Sequence, residues 1–135
     1  MGLVGTWRLV DSKTPGEQAF RLTYRLISAS SAMVESFGDP SKQITETIYH
    51  LDGQRLLATH YCAQGNQPRL QLQTPSSDDT LEFRFLDATN LKSATASHLI
   101  RMRFKFVDSQ RLIRHEIYLE NGKESESRIS LEKMN

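Results

Sequence analysis

With 135 residues the chain has room for one ordinary domain, residues 1–135, and no second independent core. Its 17 Lys and Arg against 16 Asp and Glu leave a formal net charge of +1, which excludes the basic field that nucleic acid or an anionic membrane surface would need. A single cysteine, Cys62, excludes an intramolecular disulfide, and no run of about 18 apolar residues offers a membrane-spanning helix. The corresponding expectations are a cytoplasmic protein, monomer or homodimer, with no membrane insertion, no nucleic-acid partner, no cofactor and no metal.

Period-two alternation runs through the chain and predicts strands with one buried and one wet face. The first covers Leu3 to Asp11; its leading residues Met1-Gly2-Leu3-Val4-Gly5-Thr6 formally fit a myristoylation pattern, but they lead straight into the strand. Asp11 to Ala19, holding Pro15-Gly16, reads as a connection too short for a helix pair. Phe20, Leu22, Tyr24 and Leu26 then alternate with Arg21, Thr23 and Arg25. Strands follow at Ala32 to Gly38, Gln43 to Leu51, Gln54 to Cys62, Arg69 to Thr74 and Thr80 to Leu86. After a long polar connection, Asp87 to Ser97, Ile100, Met102, Phe104 and Phe106 alternate with Arg101, Arg103 and Lys105. Arg111 to Glu120 and Lys123 to Lys133 complete a set of ten. Asp52-Gly53 and Asn121-Gly122 are type I′ hairpin dipeptides, so consecutive strands are antiparallel neighbours. The predicted fold is all-β, a single closed up-and-down barrel, because closure removes the two edges that a sandwich leaves open. The Asp87–Ser97 connection reads as a binding loop or as a solvated one.

The Gly5-Thr6-Trp7 triplet resembles the Gly-x-Trp of lipocalins and other calycins. Thr47-Ile48-Tyr49-His50-Leu51-Asp52-Gly53, Thr59-His60-Tyr61-Cys62 and Gly65-Asn66-Gln67-Pro68-Arg69, with Asp87-Ala88-Thr89-Asn90-Leu91 and Glu120-Asn121-Gly122-Lys123, resemble a group of lipocalin-like bacterial proteins that carry no assigned activity. The resemblance implies a calycin barrel and, by fold analogy, binding of a small apolar or amphipathic molecule. It also implies that Trp7 packs near a closed end under a basic side chain, which Arg114 or Arg128 supplies. The helix pair of fatty-acid-binding proteins, the long glycine-rich signature of haem-binding nitrobindin-like barrels and the disulfide of secreted lipocalins are missing from the sequence.

Register arguments place side chains inside or outside. Pairing about Asp52-Gly53 sets Leu51 beside Gln54, Tyr49 beside Leu56, Thr47 beside Ala58 and Thr45 beside His60, a face whose small and aromatic residues suit an interior wall, with Cys62 following. Pairing about Asn121-Gly122 sets Tyr118 beside Ser125, Glu116 beside Ser127, Arg114 beside Ile129 and Leu112 beside Leu131. Two readings of this strand stand open: Arg114 and Glu116 point inward and partner each other, or a bulge turns Ile113, His115 and Ile117 inward instead. Glu35, flanked by Met33 and Phe37 on an apolar face, is inward too, and near Arg114 or His60 it would form a polar cluster that orients a ligand.

Candidate ligand-binding residues are therefore Tyr24, Glu35, Tyr49, His60, Cys62 and Arg114 from the inner face, Phe83, Met102 and Phe104 from the apolar wall, and Arg69 as an anion contact at a polar rim. Tyr61 is a weaker aromatic candidate. His60-x-Cys62 has the residue types of a metal or thiol site, but two ligands do not close a metal site. Two functions stand: binding of a small hydrophobic or amphipathic molecule, and a small barrel enzyme (cyclase, isomerase or hydrolase) in which Glu35, His60, Glu116 or His98 serves as acid or base.

Overall fold

The computed structural model describes residues 2–42, 44–74 and 77–135. Ten strands run antiparallel in sequence order: β1 (Gly5–Leu9), β2 (Arg21–Ile27), β3 (Ala32–Gly38), β4 (Thr45–Asp52), β5 (Arg55–Tyr61), β6 (Gln67–Leu72), β7 (Thr80–Thr89), β8 (His98–Asp108), β9 (Arg111–Glu120) and β10 (Lys123–Lys133). β10 pairs with β1 and closes the barrel, as the alternation predicts. The β2–β3 and β4–β5 turns lie at what we term the first end. The β5–β6, β7–β8 and β9–β10 connections lie at the second. Among the described residues no helix is long and apolar enough to cross a membrane.

Strand limits differ from the sequence reading where tertiary pairing extends or trims them. β1 is shorter than Leu3–Asp11, and β7 continues to Thr89 because Arg69 and Gln67 on β6 pair with Asp87 and Thr89, leaving only residues 90–97 as the connection. β6 correspondingly starts at Gln67 and ends at Leu72, while β8 gains a residue pair at each end. Met1 and Gln43, each the first residue of an expected feature, lie outside the described residues.

The connection after β1 holds one helical turn, α1 (Pro15–Ala19). Its cause is local. Thr14 Oγ1 accepts from Glu17 N–H at 3.1 Å, the Glu17 carboxylate accepts from the backbone of Lys13 and Thr14, and Pro15 presets the first turn.

Both hairpin dipeptides sit at turns, but only one fixes its register as read. Asn121 and Gly122 have φ of +51° and +77°, the positive values a type I′ turn requires, and every expected β9–β10 pair is observed. At the β4–β5 turn Asp52 stays in the strand opposite Arg55, which donates to it, and the turn is Gly53-Gln54, with Gly53 at φ +62°. The pairs are consequently Leu51 with Leu56, Tyr49 with Ala58 and Thr47 with His60. A two-residue shift leaves every side chain on its face, so Tyr49, Thr47 and His60 still point inward.

Inward residues pack around a tier of aromatic rings. Tyr49, Phe83 and Phe104 meet edge to face with centroids 5.6–6.4 Å apart, and Tyr24 joins at 6.5 Å from Phe104. Trp7 is buried under a basic side chain, but the cation is Lys133, 5.5 Å above the ring, and not Arg114 or Arg128. β10 brings Lys133 directly opposite Trp7, and the indole N–H donates to Leu3 O at 2.9 Å. The glycine two residues before the indole has a matching reason: Gly5 has φ +129°, and a Cβ there would meet Lys133 Cε at 2.9 Å.

Candidate functional site

At the first end the barrel opens into a pocket of about 280 Å³. Its walls are Leu3, Leu26, Met33 and Leu56, and its floor is the aromatic tier of Tyr49, Phe83 and Phe104. Polar groups gather at the rim, on Ser30, Ser31 and His50. Alternation explains most of the lining: Leu26, Met33 and Leu56 are inward members of their strands at the height where the staves end, and Leu3 packs in from the turn that precedes β1. Leu26 and Leu51, at the mouth, are half exposed or more, and extend the apolar surface outward. The overhanging β2–β3 turn is strained, since Ser28, Ala29 and Ser30 have φ of +52°, +54° and +66° in succession without a glycine.

Below the floor, toward the second end, lies a charged cluster. Arg114 donates through Nη2 to Glu35 Oε1 at 2.6 Å and through Nη1 to Glu116 Oε1. Its guanidinium stacks on Phe37 and Phe104, 5.0 and 5.6 Å from their centroids, and Nη2 also contacts Met102 Sδ. The Tyr49 hydroxyl donates to Glu35 Oε2 at 2.8 Å, so both Glu35 oxygens are bonded and the residue is fully enclosed. His60 lies alongside, with Nδ1 2.8 Å from Thr47 Oγ1 and Nε2 3.4 Å from the Tyr118 hydroxyl. Thus of the two readings of β9, Arg114 and Glu116 point inward and no bulge interrupts it. Ile113 and His115 stay outside, and Ile117 is buried on the outer face, where Arg101, Arg103, Glu124 and Glu126 ring it. The irregularities are on the facing strand, between Leu99 and Arg101 and between Phe106 and Asp108.

Burial and charge set the protonation states. Burial lowers the His60 imidazole below its ordinary range, which favours the neutral ring. Burial alone would raise Glu116, but the Arg114 guanidinium outweighs it and holds the carboxyl below its usual value. Burial opposes the charge on Arg114, yet the Glu116 and Glu35 carboxylates raise its affinity for the proton further. Burial, then the Glu35 charge, pushes the Tyr49 and Tyr24 phenols far up. Two polar atoms of the cluster, the Tyr24 hydroxyl and Arg114 Nε, are buried with no hydrogen-bond partner among the described residues.

The remaining candidates disperse. Tyr24, Met102, Phe83 and Phe104 belong to the tier or the cluster, whereas Arg69 is on the outer face, bidentate to Asp87 at 2.6 Å by Nε, because it alternates with inward Pro68 and Leu70. Tyr61 is exposed. Cys62 is part-buried at the second end, donating to Gln64 Oε1 at 2.8 Å. His98 is buried apart from the other acid–base candidates, with Nδ1 2.6 Å from Ala96 O and its ring against Phe85. The Gly65–Arg69 motif serves the connection at this end: Asn66 Nδ2 donates to Ser97 O and Asn90 Nδ2 to Gly65 O, tying residues 90–97 down. Among the described residues no three His, Cys, Asp or Glu side chains come together to hold a metal ion. The sequence reading put Met33 and Leu56 on inner faces without naming them as ligand contacts, and it did not foresee Leu3, which only its shared parity with Trp7 signals.

Comparison with protein-family models finds no match for the chain, and comparison with curated proteins finds none either.

Proposed function

We propose that the barrel binds a small apolar or amphipathic molecule at its first end, apolar part first. The observation that supports this most is the chemistry of the pocket, whose walls are aliphatic, whose floor is aromatic and whose polar groups stand only at the rim. Its volume sits near the lower limit of the roughly 300–1,000 Å³ usual for small-ligand sites. Tyr49 sharpens the reading: the ring faces the pocket while the hydroxyl is committed to Glu35, so the floor offers surface rather than hydrogen bonds. A ligand seated there leaves its polar group at Ser30, Ser31 and His50. The single free cysteine fits a reducing, cytoplasmic setting.

Catalysis by the inner acids fits less well. Glu35 has both oxygens bonded and is walled off from the pocket, so no substrate atom in the pocket reaches it.

The test uses prodan, a neutral solvatochromic probe. Saturable blue-shifted emission with the wild type, lost in Met33→Trp, which fills the mouth, is the expected result. A Met33→Trp protein that stays folded and binds prodan as well as the wild type overturns the proposal.

A further inference from the structure

The charged cluster is one positive charge short. Glu35 and Glu116 supply two carboxyls to the single Arg114 guanidinium. His60 does not make up the difference, since its ring is enclosed and bonded to Thr47, and burial favours its neutral form. The other titratable groups facing the cluster are Tyr24, Tyr49 and Tyr118, with Cys62 near Tyr118, and none is a cation. An unmatched charge in an apolar interior is costly unless something pairs it.

The cluster is reachable from the second end through a gap in the wall. β1 pairs with β10 only along Leu131–Lys133, and the Val10 N–H bond to Ser130 O is the last contact before the chain turns away to α1. Beyond that point β10 has β9 on one side and no strand on the other. Ser125 and Ser127 share the inward face with Leu131, yet both are exposed, as they would not be behind a complete wall. They stand directly opposite Tyr118 and Glu116. The Glu116 side chain keeps 11% of its surface open, against 1% for Glu35, so the accessible carboxylate is the one facing the gap. Phe20 and Phe37, 4.8 Å apart and both part-exposed, give this end an apolar wall beside Arg114.

We propose that this gap is a second binding site, at the opposite end of the barrel from the pocket, for a small organic cation: a protonated amine with an apolar body. The ammonium pairs with Glu116 and donates to the Tyr118 and Ser127 hydroxyls, while the apolar body lies against Phe37 and Phe20. A carboxylate is rejected, because Glu35 and Glu116 already set two carboxyls against the single Arg114 guanidinium and a third would add only like charge. This site stands on the cluster and the gap, and does not require the first-end pocket to be filled.

Phenethylamine, phenethyl alcohol and phenylacetate share one body and differ in head-group charge, and each is titrated into the wild type at pH 7 by calorimetry. The expected result is saturable amine binding, with the alcohol and the acid at least tenfold weaker, from the loss of one close unit-charge interaction. Glu116→Gln should weaken the amine by about tenfold or more. Ser127→Trp, an exposed position, should block the amine while prodan emission from the first-end pocket stays unchanged. Acid or alcohol binding as tight as the amine, no amine heat at millimolar concentration, or full affinity in folded Ser127→Trp protein each overturns the proposal. A loss of prodan binding in the wild type would bear on the pocket alone.

Discussion

Replacing Arg114 by Met removes the one guanidinium that two buried carboxyls share, in a side-chain volume that Met fills closely. Arg114 and Glu35 are each 1% exposed at the side chain, so solvent does not relieve the loss. Breaking a buried ion pair from one side costs about 3–5 kcal/mol, because the partner charge remains without compensation. For a chain of this length that is a fall in melting temperature of about 10–20 °C. Removing the whole arrangement has a different sign of effect: with Glu35→Leu, Glu116→Leu and Tyr49→Phe added, no charge is stranded and the Tyr49 hydroxyl leaves together with its acceptor, so the variant should lie within about 1 kcal/mol of the wild type or above it. Urea unfolding and thermal melting, both followed by the fluorescence of Trp7, give the free energies and the melting temperatures. A single Arg114→Met protein melting within about 3 °C of the wild type, or a quadruple variant as unstable as the single, would refute the view that the cluster is an electrostatic unit with little net value for folding.

Four further outcomes follow from the same geometry. In the wild type Glu116 titrates below the ordinary carboxyl value of 4.5, so its contribution to stability is present above that pH and lost as pH falls through the lowered folded value. In Arg114→Met the stranded carboxyls bind protons more readily than in the unfolded chain, so the variant should gain stability on acidification to about pH 4.5, where the wild type begins to lose it. His60 is held below its ordinary 6.5, so the unfolded chain takes the proton first; stability should decline as pH drops below about 6.5, and His60→Gln should flatten that slope in urea midpoints measured from pH 7.5 to 5. Ala29→Gly relieves a left-handed residue with no packing role and should raise stability by about 1 kcal/mol in thermal unfolding, whereas a fall would mean the turn carries no strain. Phe83→Ala, at the centre of the aromatic tier, should cost about 3–5 kcal/mol and deepen the pocket, read as a lower melting temperature together with tighter prodan binding.

Much of this architecture is written in the alternation itself. Phe20 to Leu26 and Ile100 to Phe106 show period two plainly, and Asn121-Gly122 determines ten residue pairs of β9 and β10 because both of its residues accept positive φ. That register carries Arg114 and Glu116 inward, so half of the charged cluster follows from a turn. Glu35 and His60 are inward by parity alone. What the sequence withholds is distance across the barrel: nothing local says that Glu35 on β3 meets Arg114 on β9, since 79 residues separate them and the contact depends on how far the sheet curls. The Gly53 turn shows the weaker case, where Asp52 pairs with Arg55 and the strand runs one residue further than the dipeptide rule allows. The helix turn at Pro15 had a visible signal in Thr14-Pro15-Gly16-Glu17, but a capping box in a five-residue element is easily outweighed by the surrounding strand pattern. Arg69 and the Gly65-Asn66-Gln67 run have the polar look of a recognition surface, yet they spend their hydrogen bonds on neighbouring backbone and on Asp87, a distinction that only coordinates make.

The seam between Trp7 and Lys133 has a consequence for how the protein is made. Each of the other neighbours in the wall is joined by a nearby connection, so the staves can add one after another as the chain leaves the ribosome, but the outer edge of the first stave has to wait for a partner 126 residues downstream. Until Leu131 to Lys133 emerge, the nascent sheet has two raw margins, one at the start of synthesis and one at its growing front, and the apolar lining between them is open to water. Closure therefore comes late and takes a toll in chain entropy that no local hairpin shares, and for that interval the Gly5 to Leu9 segment is the part of the polypeptide in greatest danger of joining another molecule.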